Sequence, residues 1–254
     1  MWIIEYEESA THIEIEGYSA KGKDEFYAYL EKTIVPCLKW QAGIPEESLI
    51  EDIAGTDFEA DEIREALSEI GKLNETKWGE IFGACVHQNR YGIYIPIPVQ
   101  WTDRNPESSS AGADIIGFTN CQGSTAFLFG EVKTSSEETV PPRVIYGNRG
   151  LISQIKSLVG KRGIYSAQWL MKQSLGRNWH EQCKEAVRLF VKKQYRIVGV
   201  LIRDTNPDQA DLTKVYNECK QIIGPKIFLT AFYLPDSIRT CMAQSCTSGG
   251  LPFV

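Results

Sequence analysis

The chain of 254 residues lacks several features that would assign it to particular classes of protein. No apolar run reaches the roughly 20 residues of a membrane-spanning helix, and residues 1–18 contain no basic leader and no small-residue cleavage site. The seven cysteines form no C-x-x-C pair, and the three histidines lie far apart, which disfavours a zinc site. No Gly-rich loop ending in Gly-Lys-Ser/Thr is present, so no ATP site is expected. We therefore expect a cytoplasmic protein with reduced thiols and no membrane segment.

Acidic and basic residues are distributed unevenly, although the net charge is only −6. Residues 1–80 carry 20 acidic and 7 basic side chains, whereas residues 143–203 carry 13 basic and 2 acidic ones. A basic segment of this density predicts contact with nucleic-acid phosphates, because each neutralised phosphate releases counterions. The alternative for this segment is a set of solvated helix faces. The acidic part could dock another protein or limit non-specific binding.

The order of predicted elements favours an α/β fold with a mixed central sheet flanked by helices. Residues 1–74 form an acidic α+β extension, with strands at 2–6 and 12–16 and helices near 26–38 and 58–70. Residues 75–254 form the main domain, in which a polar loop at 103–111 separates the first two strands. The predicted elements of this domain are a helix (75–87), three strands (92–99, 113–118, 125–133), helices between 151 and 192, a strand (195–202), a helix (211–223), a strand (226–233) and an irregular tail.

Three charged residues stand on the apolar hairpin that is predicted between residues 113 and 133. Asp114 begins its first strand, and Glu131 and Lys133 end its second, where side-chain alternation turns both to one face with Val132 opposite. The hairpin brings the two carboxylates together, and adjacent carboxylates repel unless a cation lies between them. Oxygen ligands of this kind suit Mg²⁺ or Mn²⁺, with the Val132 backbone carbonyl as a further candidate ligand.

A lysine beside such carboxylates would complete the requirements of phosphodiester hydrolysis. Lys133 could hold the attacking water and offset negative charge in the transition state. The alternative is a surface Glu–Lys pair at a strand end, with Asp114 as a turn residue, since E-x-K occurs by chance in most proteins. The preceding apolar strand and an Asp at hairpin distance favour the catalytic interpretation.

The motifs GADIIGF (112–118) and FLFGEVK (127–133) resemble the metal-binding hairpin of the PD-(D/E)XK nuclease superfamily. The likeness covers residues 75–202, which would correspond to an αβββαβ core, and Ala113 stands in place of the proline. The resemblance implies two more site residues. One is Glu80, from the motif WGEIFG on the helix before the hairpin, and the other is Gln154 on the helix after it. The alternative for each is an ordinary solvated side chain.

A narrower likeness joins IPIPVQW (95–101), GADIIGF and GEVKTS (130–135). Together these motifs resemble the nuclease subunit of Hachiman-type bacterial anti-phage systems. This resemblance implies a DNA substrate, a bacterial origin and a superfamily 2 helicase partner that is encoded alongside.

The sequence thus predicts a Mg²⁺-dependent deoxyribonuclease, with basic residues after the hairpin as candidate phosphate contacts. These candidates are Arg149, Lys156, Lys161 and Arg162. Two alternatives stay open: a nuclease fold that binds nucleic acid or assembles without catalysis, and a stand-alone restriction-type endonuclease that acts as a homodimer.

Overall fold

A computed structural model of the protein describes residues 1–41, 47–68, 73–98 and 112–249. The predicted loop at 103–111 therefore lies outside the described residues. The strands are β1 (Trp2–Ala10), β2 (Ile13–Ala20), β3 (Ile115–Cys121), β4 (Ser124–Ser135), β5 (Arg196–Arg203) and β6 (Lys226–Tyr233). The α-helices are α1 (Lys23–Tyr29), α2 (Val35–Gln41), α3 (Glu47–Ile53), α4 (Asp57–Ser68), α5 (Glu75–Tyr91), α6 (Leu151–Val159), α7 (Lys161–Ser174), α8 (His180–Val191), α9 (Ala210–Cys219) and α10 (Ile238–Gly249). A π-helical turn, Leu30–Ile34, joins α1 to α2, and a 3₁₀ turn, Arg143–Ile145, precedes α6.

The strands of the described chain form one mixed sheet in the order β1-β2-β6-β5-β4-β3. The outer pairs β1–β2 and β3–β4 are antiparallel, and β2, β6, β5 and β4 run parallel to one another. Helices cover both faces, which confirms the predicted α/β class. Because β2 pairs with β6, the sheet continues across the boundary that the sequence suggested at residue 74.

Alternating side chains of the central strands divide the core between the two faces of the sheet. On β5, Val198, Val200 and Ile202 pack with α5 and α10 in one cluster, and Ile197 and Leu201 pack with α6, α8 and α9 in the other. Because helices cover both faces of β5, its alternating side chains are apolar on both faces and its sequence is a continuous apolar run. No helix in the described ranges is long and apolar enough to cross a bilayer.

The β3–β4 hairpin follows the prediction closely. Its two-residue turn consists of Gln122 and Gly123, both with positive φ, as a type I′ hairpin turn requires. Asn120 stabilises the turn by accepting a hydrogen bond from the Gly123 amide at 2.9 Å. The register follows from this turn and ends with Ile115 opposite Gly130.

Two predicted elements are wrong. The strand expected at 92–99 is reduced, within the described residues, to one antiparallel bridge between Tyr94 and Phe118. Pro96 and Pro98 lack an amide hydrogen and cannot extend a ladder, which outweighs the apolar alternation of this segment. The tail expected to be irregular instead forms α10, whose buried Cys241, Met242 and Cys246 join the core cluster of α5.

The expectation that all cysteines are reduced is also wrong for one pair. Cys37 on α2 and Cys85 on α5 form a disulfide with a Cα–Cα distance of 5.8 Å, and the other five cysteines are free thiols. The two bonded residues are 48 positions apart. Only the packing of α2 against α5 brings them within bonding range.

His87 lies inside α5 and is almost completely buried, at 2% exposed. Its Nδ1 lies 2.9 Å from the Gly83 carbonyl oxygen, and that oxygen can only accept, so Nδ1 carries the proton. Burial lowers the pKa of His87 to about 4. The folded protein therefore keeps this imidazole neutral at pH values at which the unfolded chain would protonate it.

We predict that His87 makes the protein acid-sensitive. The unfolded state binds the extra proton between about pH 6.5 and pH 4, so stability is lost as the pH falls through this window, by up to about 1.4 kcal/mol per pH unit. Urea unfolding at pH 7, 6 and 5 measures the effect. His87→Gln should lose less stability over this range than the parent protein. Parallel losses in the two proteins would contradict the prediction.

Candidate active site at the end of the hairpin

Asp114 and Glu131 meet where the β3–β4 ladder ends. Since Ile115 pairs with Gly130, Asp114 stands opposite Glu131, and its Oδ2 accepts a hydrogen bond from the Val132 amide at 2.8 Å. In an extended strand the N–H and C=O of one residue point to the same side. The Val132 carbonyl therefore faces the same edge of β4 as Asp114, as its predicted ligand role requires.

The Glu131 carboxylate is held between two cations. Its Oε1 lies 2.8 Å from Lys133 Nζ, and its Oε2 lies 3.0 Å from Arg162 Nη2 on α7. The Glu131 side chain is 4% exposed, so these ion pairs stand largely out of water. Lys133 and Glu131 thus share a face of β4, as the strand alternation predicts.

Asp114 has a different electrostatic environment. Burial raises the pKa of its carboxyl well above the usual value, and repulsion from Glu131 and Glu80 raises it further. The hydrogen bond from the Val132 amide and the charge of Lys133 act in the opposite direction without reversing the shift. Glu131 and Glu80 are therefore close enough to Asp114 to disfavour its negative charge.

Glu80 reaches this group because α5 packs unusually close to β4. A Cβ atom on Gly79 would lie 2.2 Å from Thr134 Cγ2, and one on Gly83 would lie 3.2 Å from Val132 Cγ2. Both glycines belong to the motif WGEIFG. Because neither glycine has a side chain, α5 can approach β4 closely enough to bring Glu80 to the end of the strand. Glu80 also pairs with Lys77, one turn earlier, at 3.3 Å.

Gln154 contacts the site through Arg162. Its Oε1 accepts a hydrogen bond from Arg162 Nη1, and its Nε2 donates to the Asn148 carbonyl at 3.0 Å. Gln154, which the resemblance implied as a site residue, is thus linked to Glu131 through Arg162.

The four predicted phosphate contacts lie in different environments. Arg149 is exposed and lines the same cleft as Asp114, and Lys161 is exposed at the start of α7. Lys156 turns to α9, where its Nζ lies 2.8 Å from Glu218 Oε2. Arg162 is 18% exposed and points inward to Glu131. The structure therefore brings Arg149 and Arg162 to the site and directs Lys156 elsewhere.

Asp114 and Glu80 line a cleft of about 430 Å³, together with Val132 and Lys133. Its far wall is the loop between β4 and α6, which contributes Arg143, Tyr146 and Arg149. Sequence reasoning missed Arg143, Tyr146 and Lys77. The signals for them were present: the first two follow the hairpin within the basic segment, and Lys77 stands three residues before Glu80, on the same helix face.

The donor atoms of this site fit a hard divalent cation in kind, since they are carboxylate and carbonyl oxygens. Among the described residues, no three Asp, Glu, His or Cys side chains are already grouped as a metal site. Two of the predicted carboxylates are paired with cations of the protein, Glu131 with Lys133 and Arg162, and Glu80 with Lys77. The raised pKa of Asp114 marks the unbalanced negative charge that a bound cation would offset.

We predict that Gly79→Ala destabilises the fold through a single methyl contact. The new Cβ would force α5 away from Thr134, at a cost of about 1–3 kcal/mol, which exceeds the gain in helix propensity. Thr134→Ser removes the opposing methyl group, so the double variant should recover most of the loss in a denaturant-unfolding cycle. Additive effects of the two substitutions would contradict the close approach.

We also predict opposite stability effects at the two hairpin carboxylates. Without divalent cations at pH 7, Asp114→Asn should raise the melting temperature, because it removes a repelled charge and keeps an acceptor for the Val132 amide. Each kcal/mol gained corresponds to roughly 2–4 °C. Glu131→Gln should lower the melting temperature, because Lys133 and Arg162 lose their shared partner. Equal shifts of one sign would refute this difference.

No protein-family model matches the chain, and no curated protein matches it significantly. The resemblance to the PD-(D/E)XK superfamily therefore rests on the sequence motifs.

Proposed function

We propose that the protein is a divalent-metal-dependent deoxyribonuclease that hydrolyses phosphodiester bonds, with a site of the PD-(D/E)XK type. One observation carries the proposal: Asp114, Glu131, Lys133 and Glu80, which come from three sequence motifs, meet at one strand end, and all but Glu131 line the same cleft. A structural Glu–Lys pair would not require a third and a fourth charged residue from separate elements. Clustered carboxylates that face a cationic loop match the needs of phosphodiester chemistry.

Each residue has a role that follows from its position. Asp114 and Glu131, with Glu80 and the Val132 carbonyl, would hold Mg²⁺ or Mn²⁺. A bound cation of this kind supplies Lewis-acid polarisation of the phosphate and a water of lowered pKa. Lys133 is 22% exposed, so its ammonium can reach a substrate while it stays paired with Glu131. There it would orient the attacking water and offset charge that develops on the phosphate.

The cleft wall supports an anionic substrate. Arg143 has a side chain 88% exposed, and Arg149 is exposed beside it, so both can meet phosphates without breaking a buried contact. Tyr146, 46% exposed between them, offers a ring on which a base can stack. These three residues line the same cleft as Asp114 and Glu80.

The biological setting that we propose comes from the motif resemblance. Likeness to the Hachiman-type nuclease subunit supports an anti-phage role in the bacterial cytoplasm beside a superfamily 2 helicase. The N-terminal part offers an acidic surface for such a partner: Glu5, Glu7 and Glu8 lie along β1, an exposed edge strand of the sheet. Because the sequence contains no phosphate-binding loop, ATP-driven steps would belong to the partner.

A second candidate function is a nuclease-fold subunit that binds nucleic acid without cutting it. One observation favours it: Glu131 has both oxygens paired with cations, and the described acidic residues form no ready-made metal group. A silent subunit would bind DNA through the basic cleft wall in the absence of metal and would leave the DNA intact when Mg²⁺ or Mn²⁺ is added.

We predict that three substitutions separate metal binding from chemistry. Asp114→Asn and Glu131→Gln should lose metal affinity and cleavage together, because each removes charge from the ligand set. Lys133→Ala should retain metal and DNA binding and lose cleavage by about 10²-fold or more, the scale of one transition-state contact. Calorimetric Mn²⁺ titration and plasmid cleavage with Mg²⁺, Mn²⁺ or EDTA measure both properties.

The matched control is Glu181 and Lys184, an exposed pair of the same residue types on α8 with a 2.6 Å contact. Glu181→Gln and Lys184→Ala should cut as the parent does. Parent-level cutting by Glu131→Gln or Lys133→Ala would overturn the catalytic assignment. Metal-independent DNA binding without any cleavage by the parent protein, alone or with its helicase partner, would favour the silent subunit.

A further inference from the structure

We infer that Arg162 is a positioning residue that sets Glu131 against the segment carrying Asp114, and that it does not bind substrate phosphate. The inference rests on the proposed function, because it assigns Arg162 to the cation-binding geometry of that site. This role differs from the phosphate contact that the position of Arg162 in a basic segment suggests.

One nitrogen of Arg162 joins the two strands of the hairpin at their open end. Nη2 donates to Glu131 Oε2 at 3.0 Å and to the Gly112 carbonyl at 2.7 Å. Gly112 stands two residues before Asp114, and Glu131 stands opposite Asp114 in the hairpin. The same guanidinium therefore fixes the carboxylate of one candidate ligand and the backbone that leads to the other.

The second nitrogen anchors the guanidinium to α6. Nη1 donates to Gln154 Oε1 and, at 3.3 Å, to Ser157 Oγ, and Gln154 is in turn bound to the Asn148 carbonyl. This arrangement uses the planar fork of arginine, whose N–H groups point in fixed directions from two nitrogens. A lysine has one nitrogen and cannot span Glu131 and Gln154 in the same way.

A second contact from α7 supports the same segment. Ser166, one turn beyond Arg162, accepts a hydrogen bond from the Ala113 amide at 3.1 Å. A Cβ on Gly112 would lie 2.8 Å from Ser166 Oγ, so the segment lies directly on the helix. Residues 112–114 are thus placed by two side chains of α7, and a shift of this helix would move Asp114 relative to Glu131.

The contacts also argue against phosphate binding by Arg162. Both terminal nitrogens donate to groups of the protein itself, and the side chain is only 18% exposed. Lys161, its neighbour in sequence, is exposed at the start of the same helix. The two adjacent cations therefore have different roles, and they form a matched pair for an experiment.

The test compares Arg162→Gln with Lys161→Gln in two assays on the full chain. Mn²⁺ affinity is titrated calorimetrically without DNA, and DNA affinity is measured in EDTA at several salt concentrations. Arg162→Gln should lose about 10- to 100-fold in Mn²⁺ affinity, the usual effect of removing a group that orients a metal ligand. Its DNA affinity and salt dependence should match those of the parent. Lys161→Gln should keep Mn²⁺ affinity and, as a phosphate contact, reduce the salt slope by about 1.

Two further variants keep the test decisive if Arg162→Gln unfolds. Arg162→Lys retains the charge but loses the fork, so it should keep DNA binding and recover only part of the Mn²⁺ affinity. Gln154→Ala leaves Arg162 in place without its anchor and should lower Mn²⁺ affinity by a smaller factor. Parent-like Mn²⁺ affinity in folded Arg162→Gln, or a reduced DNA salt slope in that variant, would overturn the inference. Absence of metal-dependent cleavage by the parent, both alone and with its helicase partner, would instead overturn the proposed function.

Discussion

The burial of the Glu131 carboxylate between Lys133 and Arg162 is the interaction on which the geometry of the site depends. A carboxylate with 4% exposure would cost several kcal/mol without compensating charge, so the fold must deliver both cations to it. Lys133 comes from the same strand by alternation, whereas Arg162 requires α7 to pack at the open end of the hairpin. The same guanidinium donates a hydrogen bond to the Gly112 carbonyl. Arg162 therefore fixes the end of β4, helix α7 and the segment before Asp114 relative to one another.

Two other packing features complete the cleft around this ion pair. On one side, Gly79 and Gly83 allow α5 to approach β4 closely enough for Glu80 to act on Asp114. On the other side, Arg203 anchors the loop after β4 by hydrogen bonds. This arginine is fully buried with Asp211 and donates to the carbonyls of Glu137 and Thr139. The loop that contributes Arg143 and Arg149 to the cleft is therefore anchored to the core through Arg203.

Much of the site could be predicted because its signals are local. The spacing of Glu131 and Lys133 places them on one strand face, and the Gln122–Gly123 turn specifies the hairpin register that sets Asp114 opposite Glu131. The fold class also followed from local patterns, since β5 and β6 were recognisable as strands and α6 as a helix. The strand predicted at 92–99 was wrong because apolar alternation is a weaker constraint than the missing amide hydrogens of the two prolines in this segment.

The sequence by itself determined which residues are candidates for the chemistry of the proposed site, because strand alternation, turn chemistry and charge are properties of neighbouring positions. Tertiary structure alone decided which partners those residues meet. Three kinds of contact join parts of the chain that are distant in sequence or lie on different elements. They are the hydrogen bonds of Arg162 with Glu131 and Gln154, the Cys37–Cys85 bond and the pairing of β2 with β6. Such contacts depend on how helices and strands pack in three dimensions, and no periodicity along the chain records that packing. For this reason the sequence predicts Arg162 as a phosphate contact, whereas in the fold its guanidinium supports Glu131.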